Sequence, residues 1–207
     1  DGSTWDGTTL DELRRLAGHP KAAAIGEIGL DYYWERTEHS VQRKIFLEQL
    51  GLAAELGLPV VIHVRDANPD DRRAMRDALD ILTEWQTSLS ARGVDLAERP
   101  GVLHSFSGDV DDALRAAAHK FWIGVTGPVT FKKAEILRQV VAEAPVDRLL
   151  ICAQSDWRRR QFIIDAFTNS IDNSHTRRHA AQLEDCYARL GDIPREVAEK
   201  FNAILAT

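Results

Sequence analysis

A chain of 207 residues with 44% apolar residues is long enough to bury a sizeable core and lacks the composition of a disordered protein. Its formal charge of −6 at pH 7 argues against a broad basic face for nonspecific nucleic-acid binding, so a nucleic-acid ligand would have to be gripped locally. Two cysteines, Cys152 and Cys186, argue against a disulfide framework, and the absence of a long apolar run or a signal-peptide start predicts a cytoplasmic protein outside the membrane.

Leu10, Leu13, Leu16 and Ala17 recur at helical spacing after Thr8-Thr9, which predicts a short capped helix over 9–17, with Pro20 beyond its end. Residues 22–27 read as a buried strand. Ile45, Phe46, Leu50, Ala53, Ala54 and Leu56 then form one face of a helix over 42–56, stopped by Gly57. The run 59–63 is the next strand. Met75, Ala78, Leu79, Leu82 and Trp85 predict a helix over 73–85, followed by a polar stretch. Strand-like 101–106, helical 110–119, strand-like 121–125, helical 133–142 and strand-like 148–151 continue the alternation. Past Trp157 the pattern loosens until 177–190 and 195–206 read as helices.

Strict alternation of this kind implies a parallel sheet. Neither a repeat nor a linker interrupts the chain, so residues 1–207 are expected to form one domain. About five good strands are legible, whereas a closed barrel needs eight and typically about 250 residues. The expected fold is therefore α/β, a TIM-like barrel in which some strands are missing or replaced.

Four of the strand-like runs lead to a metal-competent or acidic side chain: GEIGLD at 26–31, VVIHVR at 60–65, VLHSFSG at 102–108, and LLI at 149–151 leading to Asp156. In parallel barrels the polar residues at the carboxyl ends of the strands converge on one mouth. A lone His63 after three β-branched residues would be read as structural. His104 and Glu27 repeat the placement on two further strands, and the recurrence points to a metal site. Two imidazoles with carboxylates suit zinc, manganese, iron or magnesium, and a bridging carboxylate suits two ions. Asp31 and the aromatics Tyr32, Tyr33 and Trp34 line the end of one mouth strand, where they could stack a base or pack under a loop. His19, His39, His119, His175 and His179 are expected at the surface, and the basic clusters Lys132-Lys133 and Arg158-Arg159-Arg160 read as solvated charge.

The segments GEIGLDYYW (26–34), Gln42 with Phe46, LPVVIHVRDA (58–67), GVLHSFSGD (101–109), IGVTGPVTFKKA (123–134) and PVDRLLI (145–151) resemble the TatD family of metal-dependent deoxyribonucleases. The resemblance covers roughly residues 10–151, and GDIPREVAE at 191–199 is similar to the closing helices of the family. It implies a TIM-like barrel with a two-metal hydrolytic site. Glu27, His63 and His104 would be ligands of one or two divalent ions, Zn, Mn or Mg, and Arg65, with Lys132, would hold a substrate phosphate. DNA or another phosphoester is the implied substrate.

Two departures from the family pattern bear on activity, and by the resemblance they make the α/β TIM-like barrel incomplete at its amino end and divergent after residue 151. The family's first strand carries a His-x-His pair, and none occurs in these 207 residues. After Ile151 the family reads Glu-Thr-Asp, where this chain has Cys152, Ala153 and Gln154. An amide cannot take a proton near pH 7, so Asp156, two residues on and on the same face of an extended strand, is the candidate proton acceptor. The expectation is a phosphodiester hydrolase. Its rival is a catalytically silent or fragmentary TatD-like protein that acts in binding, with open barrel edges that invite self-association.

Overall fold

The structure is a computed structural model and describes residues 5–34, 37–68 and 70–151. The expected helices over 177–190 and 195–206, and the residues Gln154, Asp156, His175 and His179, lie outside the described residues. The chain divides into two compact units, Asp1–Gly124 and Val125–Thr207.

In the first unit, helix α1 (Gly7–Ala17) begins two residues earlier than its apolar spacing predicts. Asp6 is its cap, accepting a hydrogen bond from the Thr9 amide at 2.9 Å, so a carboxylate does the work expected of the threonine hydroxyls. Strand β1 (Ile25–Asp31) starts later than expected and runs past Glu27 to Asp31. Helix α2 (His39–Leu56) ends at Gly57, whose left-handed backbone (φ +66°) makes the stop that the sequence predicts. Strand β2 (Val60–Arg65) and helix α3 (Arg73–Ala91) follow. Helix α3 continues six residues beyond Trp85 because Gln86 and Leu89, on the same face as Leu79 and Leu82, are buried. Strand β3 (Gly101–His104), helix α4 (Val110–Ala118) and strand β4 (Trp122–Val125) complete the alternation, with Asp109 and Asp112 forming a capping box on α4.

Strands β1, β2, β3 and β4 neighbour one another in that order, every pairing among them parallel. Ile28, Leu30, Ile62, Val64 and Leu103 are buried on one face of this sheet, and α2 and α3 contribute Phe46, Leu50, Met75, Leu79 and Leu82 to the core. The other face carries Gly29, Asp31, His63, Arg65 and His104, all partly or fully exposed. Strands β1, β2 and β3 therefore have two unlike faces, whereas β4 is buried at three consecutive positions. Among the described residues no helix is long and apolar enough to cross a membrane.

The second unit contributes a 3-10 turn at Gly127–Thr130, helix α5 (Glu135–Glu143) and strand β5 (Leu149–Ile151). Helix α5 buries Val140 and Val141. Arg138 ties its start to the preceding loop through the Phe131 carbonyl at 2.9 Å and pairs with Glu135 at 2.9 Å.

Candidate metal centre

The placement of Glu27 depends on an irregularity in β1. Ile25 is opposite Val60 and Ile28 is opposite Ile62, so three steps along β1 match two along β2. One extra residue is accommodated, as in a β-bulge. Without it, period-two alternation would put Glu27 on the same face as buried Ile25. With it, Glu27, Gly29 and Asp31 share the face that presents His63. The peptide bond between Gly26 and Glu27 is cis.

Beyond the bulge the register is regular: Gly29 is opposite His63, and His63 is opposite His104. Gly29 has φ +140° and lies so close to β2 that a Cβ there would clash with the His63 carbonyl oxygen. Only glycine tolerates that approach. The two histidines, 41 residues apart in sequence, thus project side by side from neighbouring strands.

Glu27 reaches both. Its Oε1 is 3.8 Å from His63 Nδ1 and 3.8 Å from His104 Nε2. The other nitrogen of His63, Nε2, is 3.3 Å from Asp31 Oδ2. The His63 side chain is 39% exposed, Glu27 45% and His104 17%, so apolar burial does not make these groups costly, contrary to the argument from the β-branched run before His63. A proton on Nε2 donated to Asp31 leaves the Nδ1 lone pair directed toward Glu27, an arrangement in which a carboxylate fixes the tautomer of a ligating imidazole.

Among the described residues no three His, Cys, Asp or Glu side chains are drawn in to a ready ion cage. Donor separation nevertheless decides the fit, because a bound ion sets it. Two donors each about 2.1 Å from one zinc ion lie at most about 4.2 Å apart, and the two 3.8 Å carboxylate-to-imidazole separations fall within that limit. They exceed hydrogen-bond length, so carboxylate and imidazoles face each other across gaps they do not themselves close. Hard oxygen with imidazole nitrogen suits zinc, manganese or iron.

Of the other residues singled out in the sequence, Arg65 ends β2 and is exposed, its guanidinium carbon 3.7 Å from the centre of the Tyr33 ring. Lys132 is exposed in the second unit, between the 3-10 turn and α5. Two histidines expected at the surface are built into packing. His39 stacks on Tyr32 at 3.6 Å, and His119 is hydrogen-bonded through Nδ1 to Gln86 Oε1 at 3.0 Å. His19 is exposed as expected.

Three residues that lie within the quoted motifs have supporting roles that the motifs do not reveal. Gln42 clamps the loop after β1, accepting from the Asp31 amide at 2.9 Å and donating to the carbonyls of Asp31 at 3.0 Å and Thr37 at 3.1 Å. Asp66 caps α3 from seven residues upstream, accepting from the Ala74 amide at 2.7 Å, and burial raises its pKa above the ordinary aspartate value. Tyr32 is buried, donates to Asp77 at 2.7 Å, and has its pKa raised chiefly by that burial. The even spacing of Glu27 and Asp31 is the one signal in the sequence that points to a shared role.

A parallel α/β sheet that brings an acid and two histidines together on one face has the architecture of a barrel-type protein with a candidate metal centre. The chain belongs to the TatD related DNase family, whose profile matches residues 3–155. Among its relatives, the uncharacterized metal-dependent hydrolase YabD of Bacillus subtilis is 37% identical over 139 residues, 67% of this chain and 48% of that protein. The 3'-5' ssDNA/RNA exonuclease TatD of Cronobacter sakazakii is 37% identical over 153 residues, 73% of this chain and 52% of that protein. The chain thus spans about half the length of the curated relatives it matches. The crystal structure of YJJV, a TatD homolog from Escherichia coli K12, superposes with a TM-score of 0.67 over 82% of this chain and 65% of that one, at 24% identity. That likeness establishes the TIM-like α/β fold.

Proposed function

We propose that this chain hydrolyses phosphodiester bonds, with DNA as the substrate, using one or two divalent ions held by Glu27, His63 and His104. The observation that carries the reading is the single carboxylate oxygen of Glu27 standing 3.8 Å from a nitrogen of each imidazole. An ion there would supply Lewis acidity, acidifying water and offsetting the charge that gathers on phosphoryl oxygens in the transition state.

The chain's own residues do the rest. Asp31 holds the His63 ring and its Nε2 proton, leaving Nδ1 to bind. Arg65, fixed at the end of β2 and always charged, offers a guanidinium fork to the substrate phosphate, and Lys132 is the second cation that the sequence offers for it. Asp156 is the carboxylate assigned to take the proton, in place of the amide Gln154. The relatives named as hydrolases and nucleases support this reaction class.

Calorimetric titration of the purified chain with zinc, manganese and magnesium, paired with cleavage of a DNA oligonucleotide, tests the reading. At least one ion should bind stoichiometrically, and Glu27→Ala with His63→Ala should abolish both binding and metal-stimulated cleavage. Cleavage that survives the double variant overturns it.

A second reading, nucleic-acid binding without catalysis, is favoured by Gln154 at the position where the family has its aspartate. It predicts oligonucleotide binding with no cleavage under any of the three metals.

A further inference from the structure

The loop after β1 carries two large aromatic side chains in water. Tyr33 is 46% exposed and Trp34 49%, although rings of this size are normally covered. They meet edge to face, with ring centres 4.9 Å apart and planes at 89°. Arg65 completes the group, its guanidinium carbon 3.7 Å from the Tyr33 ring centre and 6.0 Å from that of Trp34. Exposed aromatics beside a guanidinium are the elements with which proteins stack unpaired bases.

This group is held in place, not merely left at the surface. The Gln42 side chain bonds both ends of the loop, at Asp31 and at Thr37. The Tyr33 amide donates to Asp31 Oδ1 at 3.1 Å, and the Tyr32 amide donates to the Arg65 carbonyl at 2.8 Å. Tyr33, the end of β1 and Arg65 are therefore tied to one another, which lowers the ordering cost of binding.

It also adjoins the candidate metal centre through one residue. Asp31 gives Oδ1 to the Tyr33 amide and Oδ2 to His63 Nε2, so a single carboxylate spans the imidazole and the aromatic loop. Arg65 lies two residues after His63 on the same face of β2. A net charge of −6 leaves little general attraction for a polyanion, so base contacts are needed where phosphate contacts are few.

We infer that Tyr33, Trp34 and Arg65 form a stacking subsite for one unpaired nucleobase of a single-stranded nucleic acid, adjoining the phosphodiester at Glu27, His63 and His104. The inference rests on the hydrolase reading for its substrate and shares Arg65 with it, while Tyr33 and Trp34 belong to the subsite alone. A base in a duplex presents no free face to such a group, so the subsite selects single strands and frayed ends.

Fluorescence anisotropy with a short labelled oligothymidylate, and with the same strand bearing abasic positions, tests it on the full chain in the presence of EDTA. The wild type should bind the base-bearing strand about tenfold more tightly than the abasic one, the order expected from one stacked base. Trp34→Ala and Tyr33→Leu should each bring that ratio toward one, and Trp34→Phe should retain it. Equal binding of the two strands by the wild type overturns the inference, as does a ratio unchanged in both Trp34→Ala and Tyr33→Leu. Should either variant fail to fold, the wild type and Trp34→Phe give the answer by quenching. Base-bearing strand should quench the wild-type indole emission more than abasic strand does, Trp34→Phe should lose that difference, and persistence of the difference overturns the inference. A wild type that prefers the base-bearing strand yet cleaves neither strand with metal sinks the hydrolase reading and leaves the subsite standing. One that cleaves with metal but shows no preference does the reverse.

Discussion

Two regions of the first unit pair histidine with an oxygen-bearing side chain, and they do so differently. Between α3 and α4, His119 Nδ1 meets Gln86 Oε1 at 3.0 Å, and the Gln86 amide donates to the Ala97 carbonyl at 3.2 Å. Gln86 is buried there, and both ends of its side chain are satisfied. On the exposed face of β1–β3, Glu27 stands 3.8 Å from each of two histidines and is 45% exposed. The first arrangement is a closed polar joint inside the packing, which burial requires. The second is open, and its gaps are of a size that an ion fills.

The comparison can be broken at either end. Glu27→Ala should weaken metal affinity by more than the roughly 100-fold upper end seen for outer partners of a ligand. The thermal midpoint of the metal-free chain should barely move, because the carboxylate is exposed and closes no joint. A large fall in stability without change in calorimetric metal affinity would invert the assignment. Next in size, Asp31→Ala should cost about 10- to 100-fold in metal affinity by freeing the His63 ring, again read by calorimetry.

Gln86→Leu should show the opposite signature. Leaving His119 and the Ala97 carbonyl without their partner should cost about 1–3 kcal/mol in denaturant unfolding, with metal affinity intact.

The smallest effect concerns Asp66. Burial holds its folded pKa above the ordinary value of 3.8, so the folded chain keeps this proton to higher pH than the unfolded chain does. Its contribution to stability should therefore fall as pH rises from about 3.8 through the raised value. Asp66→Asn should flatten that slope, and a carboxyl resonance titrating at or below 3.8 in the folded chain would contradict it. Asp71 runs the other way. Its hydrogen bond from Arg73 lowers its pKa to about 2, so its contribution is present above 3.8 and is lost as pH falls toward about 2.

Much of this was legible in the residues. The apolar spacing located all five described helices, although Asp6 instead of Thr8-Thr9 capped α1 and α3 ran six residues past Trp85. Those misses share a cause: caps and helix ends depend on side-chain partners that periodicity does not encode. The candidate ligands were legible because the same pattern, an apolar run ending in a metal-competent group, recurred on separate strands. The histidines at 39 and 119 were misjudged because a lone polar residue looks alike in sequence whether it meets water or a partner such as Tyr32 or Gln86.

By itself the sequence determined the alternation of strands and helices, the family motifs and the types of group available at the strand ends, since these follow from local periodicity and residue chemistry. Only the tertiary structure decided that Glu27 faces His63 and His104, that Asp31 holds the far nitrogen of His63, and that Arg65 lies over Tyr33. The physical reason is register. One extra residue in β1 reverses which side chains share a face, and that shift is fixed by hydrogen bonding to β2, a segment more than thirty residues away.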